Sequence, residues 1–199
     1  MAIHKLNNNS LSNLTEFSGT AAIGDMKLIQ ETSISSGTSS VEFTLGDKKQ
    51  YRFFLVNIHP SADSKPFEVN MSTDGGSNYN VAKTTTSFHA YLQEDNQYPE
   101  LTYRTYADEA QVTTDARLMH NVGGDNDECG SGIFDIFNPS STVFAKQFLF
   151  TSAITHKQPA AQNEFVGGYC NTTSAIDAIR FRFESGNIDD GKILMFGLD

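Results

Sequence analysis

Hydrophobic and polar residues alternate with a period of two through most of this chain, most clearly near the C-terminal end. Over residues 178–184, Ile179, Phe181 and Phe183 share one phase and Arg180, Arg182 and Glu184 the other. This predicts a strand with one buried and one wet face. A turn-rich stretch follows over residues 185–191. Residues 192–198 are then apolar at both phases, which predicts a second arm covered on both sides or docked against a partner. Together the two arms read as an antiparallel hairpin.

The same pattern recurs upstream. Strands are predicted over residues 26–35, with Leu28 and Gln30 opposing Lys27, Ile29 and Glu31, and over residues 41–45, with Val41, Phe43 and Leu45 inward. Residues 51–58 read as a central strand ended by His59-Pro60, because proline lacks the donor a ladder needs. In residues 67–72, Phe67, Val69 and Met71 alternate with Glu68, Asn70 and Ser72, and the glycine-bearing stretch 73–78 turns the chain. Further strands are predicted over residues 88–92, 101–106, 133–137, 143–151 and 164–170. Residues 107–118 read as the one helical segment and residues 121–132 as a polar loop. Residues 153–163 read as a connecting loop with at most a short strand at its start. Strands at this spacing, separated by Gly, Ser and Asn turns, predict an all-β antiparallel sandwich over residues 26–199. Residues 1–25 are polar, with spaced apolar anchors at Leu11, Leu14, Phe17 and Ile23. They read as an extended N-terminal arm that lies across a neighbour in an assembly.

Composition narrows the function. The 199 residues carry a net charge of -10, which repels nucleic acid and anionic membranes. The N-terminus lacks the apolar core of a secretory signal, and no stretch approaches the roughly 18 apolar residues of a membrane span. Neither nucleic-acid binding nor membrane insertion is therefore expected. Cys129 and Cys170 are too few for a disulfide scaffold. They could pair with each other or stand apart as small buried thiols.

Candidate chemistry is sparse. The stretch from Gly186 to Ile193 has the glycine and lysine spacing of a phosphate loop, but Ile193 stands where a magnesium-binding Ser or Thr is needed. Residues 125–130 open like a calcium loop, yet Cys129 and Ile136 occupy ligand places, so an EF-hand is excluded. A looser cation site on Asp125, Asp127 and Glu128 is the remaining metal candidate, against a solvated acidic loop. His4, His59, His89, His120 and His156 show no ligand spacing. His59 is expected to bond nearby backbone at a strand end, and His89 to sit on a sheet face. Cys170 with a distant His as a thiol nucleophile has nothing specific to recommend it. Tyr79, Tyr91, Tyr98, Tyr103 and Tyr106 cluster in sequence. They suit stacking on sugar rings, or else packing and a subunit interface. No catalytic residues and no cofactor are expected.

Several stretches together resemble a family of tailed-bacteriophage virion structural proteins from marine and environmental phages. They are residues 51–60 (YRFFLVNIHP), 72–79 (STDGGSNY), 131–141 (SGIFDIFNPSS), 169–181 (YCNTTSAIDAIRF) and 185–188 (SGNI). The resemblance spans roughly residues 26–199. It departs where relatives end in a Leu-Tyr-Gly-Ile type tail, here Met195-Phe-Gly-Leu198, and at Cys129 and Cys170. It implies a non-enzymatic tail, fibre or capsid-decoration β domain, assembled in the host cytoplasm and exposed on the particle. Its partners would be copies of itself and other virion proteins. The sandwich is expected to be jelly-roll-like. The alternatives are a lectin-like module recognising a host surface glycan, and a virion-associated glycan hydrolase, which would need a carboxylate pair.

Overall fold

The computed structural model describes residues 26–199, so the expected arm over residues 1–25 lies outside the described residues. Twelve strands make up the fold, with no helix among the described residues. They are β1 (Lys27–Ile34), β2 (Val41–Thr44), β3 (Gln50–Pro60), β4 (Phe67–Ser72), β5 (Lys83–Gln93), β6 (Glu100–Tyr103), β7 (Ala116–Met119), β8 (Gly130–Phe137), β9 (Lys146–His156), β10 (Ala160–Cys170), β11 (Ala178–Phe183) and β12 (Ile188–Leu198). All the strand pairs are antiparallel. An eight-stranded sheet runs β1-β12-β3-β8-β9-β10-β5-β6 and a four-stranded sheet runs β2-β11-β4-β7. The two pack as a β-sandwich, the fold class the alternation predicts.

The core follows from the alternating phenylalanines. Phe181 on β11 sits 5.2 Å from Phe53 on β3 and 5.7 Å from Phe134 on β8, joining the sheets. Phe43 and Phe67 flank it within its own sheet at 6.3 and 6.1 Å. All five rings are fully buried, and burial of each stabilises the fold by about 1.5–3 kcal/mol. The edge-to-face pairing of most of them fits the ring quadrupole.

Five expectations need correction. The C-terminal pair is not a hairpin: β11 lies in the small sheet and β12 in the large one. The turn at Ser185–Asn187 therefore carries the chain between layers. Its Gly186 takes φ 81°, and Ser61 Oγ accepts the Asn187 N–H at 2.8 Å. Turn residues mark a reversal but not whether the reversed strand rejoins its own sheet. The second arm is also covered unequally. Ile193, Met195 and Gly197 are buried, whereas Leu194, Phe196 and Leu198 are half-buried on the outer face.

The helical segment expected over residues 107–118 is absent. Its backbone is committed to the edge of β5 instead: Thr85 N–H donates to Glu109 O, and Lys83 and Val112 exchange N–H···O bonds. Beyond it, Ala116–Met119 is strand β7. The connecting loop expected over residues 153–163 is the hairpin of β9 and β10, paired from His156↔Ala160 through Lys146↔Cys170. Finally, Val143 and Phe144 precede β9 and are exposed rather than part of it. A smaller irregularity lies in β1, where the register skips Ile29 between Leu28 and Gln30 and leaves one bulged residue.

Candidate functional site

The acidic loop before β8 binds itself. Glu128 Oε2 accepts the Asp125 N–H at 2.9 Å, and Asp125 O accepts the Glu128 N–H at 2.8 Å. His59 Nε2 hydrogen-bonds the Asp125 carbonyl at 3.2 Å, as a strand-end histidine should. Asp127 and Glu128 line a groove of about 760 Å³ with His59, Asp189, Asp190 and Lys192. Among the described residues no group of three His, Cys, Asp or Glu side chains is placed to hold a metal ion. The groove also receives Cys129, whose thiol burial pushes up and whose Sγ lies 3.8 Å from Asn57 Oδ1. Cys129 and Cys170 are both free. Cys170 stands in register between Lys83 and Lys146, all three fully or almost fully buried. Burial pushes its thiol up to about 12, so it is protonated at neutral pH.

The five tyrosines do not gather. Tyr79 lies with the small sheet, with the Arg180 guanidinium 4.6 Å from its ring. Tyr91 faces inward, 5.3 Å from His156, and Tyr106 meets His120 at 5.6 Å. Tyr98 is exposed in the β5–β6 turn with φ 53°. Tyr103 alone of the five stands on the outer face of the large sheet, opposite Phe88.

Two carboxyl groups do meet. Glu68 and Asp115 share Arg182, which lies 3.5 Å from Glu68 Oε2 and also binds Asp115 Oδ2. Burial, reinforced by the Asp115 charge, raises Glu68 to about 7. Burial also pushes Asp115 upward. The Asn70 amide and the Arg182 guanidinium that hydrogen-bond it, with Arg180, outweigh this and hold it below the usual carboxylate range. Arginine side chains fill the space between the pair, which lines neither the groove beside Asp127 and Glu128 nor the grooves of about 360 and 430 Å³ on the large sheet.

The unusual chemistry lies in the half of the large sheet that β9, β10, β5 and β6 add beyond β8. Several of their polar and charged residues point inward. Glu164 on β10 is completely buried and lies 3.1 Å from Arg104 Nη2 and 3.3 Å from His120 Nδ1. Gln162 donates to Glu164 Oε1 at 2.6 Å and to His120 O at 3.1 Å. Arg104 also contacts His89 Nδ1 and the Tyr106 hydroxyl. Among the described residues, Glu164 Oε2, Arg104 Nε and both ring nitrogens of His120 find no hydrogen-bond partner. A buried ion pair with unpaired neighbours costs stability, about 1–3 kcal/mol for each orphaned group.

Apolar residues of the same strands also point outward, although Phe148, Phe150, Ile154 and Val166 face the core. Strand β9 presents Leu149, Thr151 and Ala153, all exposed. Strand β10 presents Asn163, Phe165 and Tyr169, and β5 presents Phe88, Ala90 and Leu92. Leu101 and Tyr103 of β6 are 75% and 53% exposed. Phe88 and Phe165 stack at 4.8 Å with planes 8° apart. The registers place Phe88, Phe165, Thr151, Ile133, Phe54 and Leu194 in one row across six strands. None of the outward positions of β9, β10, β5 and β6 carries a charge. On β8 and β3 the nearest charges, Asp135 and Arg52, pair with each other at 2.8 Å. A shallow groove of about 430 Å³ lies in this surface between Phe54, Ile133, Ala153 and Phe165.

Sequence reasoning missed this face, although a signal was present. Residues 147–155 contain no charged residue, and residues 84–92 none that is formally charged. Surface strands of a chain this acidic would be expected to carry charge at their wet phase.

Neither a protein-family model nor any curated protein matches the chain.

Proposed function

We propose that the protein is a non-enzymatic structural component of a tailed-bacteriophage particle, displayed as a tail, fibre or capsid-decoration part and held there through its sheet surfaces. The observation that carries this reading is the uncharged outer face of β9, β10, β5 and β6, with its exposed large apolar residues, over buried polar groups on β10 and β5. Strand β9 buries Phe148, Phe150 and Ile154 and still exposes Leu149. On β10 and β5 a lone sandwich would turn Glu164, Gln162 and His89 to water and bury Phe165 and Phe88. Strands that do the reverse have an outer face suited to being covered. Two further points support it. We read the order β1-β12-β3-β8 over β2-β11-β4-β7 as a jelly-roll-like interleaving, with β5–β6 and β9–β10 as inserted hairpins that widen one sheet. Jelly rolls recur in viral capsids. The resemblance carried by residues such as 51–60 and 131–141 points to the same class of particle.

The test is compositional. Virions purified from a lysate that expresses the gene in its own genome should contain the chain at a fixed copy number, and antibodies against it should label intact particles. Its absence from purified virions would overturn the reading. So would saturable binding of a host glycan by a monomer that never enters particles.

A further inference from the structure

We infer that the outer face of β9, β10, β5 and β6 is an interface between two copies of this chain, packed face to face about a two-fold axis. The inference rests on the assembly reading and names the partner. Size is the first argument. Three strands roughly 37 Å long and the four-residue β6, all about 4.8 Å apart, present a footprint of about 600 Å². Phe54 and Ile133 on the adjoining strands continue the apolar row. Together they approach the roughly 800 Å² per partner of a stable interface.

Charge is the second argument. The chain carries -10, so two copies repel each other over most of their surfaces. This face is where they can meet without bringing like charges together, since its outward positions are neutral and Arg52 and Asp135 cancel at its border. A partner chosen by charge would call for a basic surface to match acidic residues here, and there are none to match. An isologous contact needs only that the patch suit itself. A neutral sheet with the stacked Phe88 and Phe165 near its middle does so in the way two sheets pack in a sandwich, about 10 Å apart.

The experiment is sedimentation of the full chain with three variants. Leu149→Lys and Ala153→Lys each place a charge on exposed positions of the face, and Thr44→Lys places one on an exposed position of the small sheet. The wild type should run as a dimer of 21.9 kDa chains. Leu149→Lys and Ala153→Lys should each weaken it at least tenfold, while Thr44→Lys leaves it intact. Hydroxyl-radical footprinting of the unmodified protein should show Leu149, Phe88, Tyr103 and Tyr169 protected in the dimer relative to dilute monomer, which needs no variant to fold. A wild type that stays monomeric at about 100 µM, or protection confined to other surfaces, overturns the inference. If such a chain still enters virions, the assembly reading survives without it. Absence from virions sinks that reading, and a dimer protected on this face would then stand alone.

Discussion

Glu68 is held by its surroundings in a state its sequence does not announce. It alternates with Phe67 and Val69 as an outward strand residue, yet it is 4% exposed and titrates near 7 because burial and the Asp115 charge disfavour its ionised form. The unfolded chain releases this proton near 4.5 and the folded chain near 7. Its contribution to stability is therefore fully present below about 4.5 and lost as the pH rises through 7. Glu68→Gln removes the titration. From pH 5 to pH 8 the wild type should lose up to about 3 kcal/mol that the variant keeps, read as a urea midpoint difference that widens with pH. Parallel pH profiles would show that Glu68 is not the group responsible. His156 pulls the other way. Burial lowers its imidazole, so its contribution is present above 6.5 and lost as the pH falls through the lowered value. Phe181 is the residue on which the core depends most visibly, touching rings of both sheets. Phe181→Ala should cost about 3–5 kcal/mol in chemical denaturation, whereas Tyr98→Ala, at 71% exposure, should shift stability by less than about 0.5 kcal/mol.

Elements whose apolar phase faces the core were legible in the sequence. Strands β2, β3 and β11 alternate as their burial does, and the sandwich class follows from them, whereas β4 alternates in sequence but is buried throughout. What was hidden has a common cause. In the β9–β10 hairpin the inward positions include Ser152, His156, Gln162 and Glu164, so hydropathy loses the period just where pairing is tightest. The segment before β7 looked helical because Asp108, Glu109 and Ala110 suit a first turn, but the exposed edge of β5 offered its backbone better partners. The tyrosines near one another in sequence were scattered because β5, its turn and β6 point them in different directions. The hidden hairpin gives a paired prediction. A Cβ on Gly168 would lie 2.6 Å from Phe148 Cζ and 2.7 Å from Thr84 O, while one on Gly167 meets only Leu149 Cδ2, at 3.5 Å. Gly168→Ala should destabilise by about 1–3 kcal/mol and Gly167→Ala by much less. Equal thermal shifts for the two would mean the register of β9, β10 and β5 is wrong.

At the scale of the whole molecule, charge and apolar surface are segregated. The acidic residues of the groove, Asp127, Glu128, Asp189 and Asp190, belong to loops and strand ends at one side, while the outward positions of the inserted strands are neutral. This separation sets the sign of a salt effect on the proposed dimer. Two chains of -10 must approach through their summed repulsion, and a neutral interface supplies no attraction between opposite charges to offset it. Added salt shortens the screening length from about 20–30 Å at low ionic strength to below about 10 Å above 0.1 M. It therefore weakens the repulsion and leaves the apolar contact in place. Raising NaCl from about 20 to 300 mM should tighten the dimer several-fold in sedimentation equilibrium. An interface built on ion pairs would loosen over the same range. The candidate pairs at the rim, Lys192–Glu31 at 2.6 Å and Arg52–Asp135 at 2.8 Å, are already satisfied within one chain, so tightening with salt is the direction the neutral face requires.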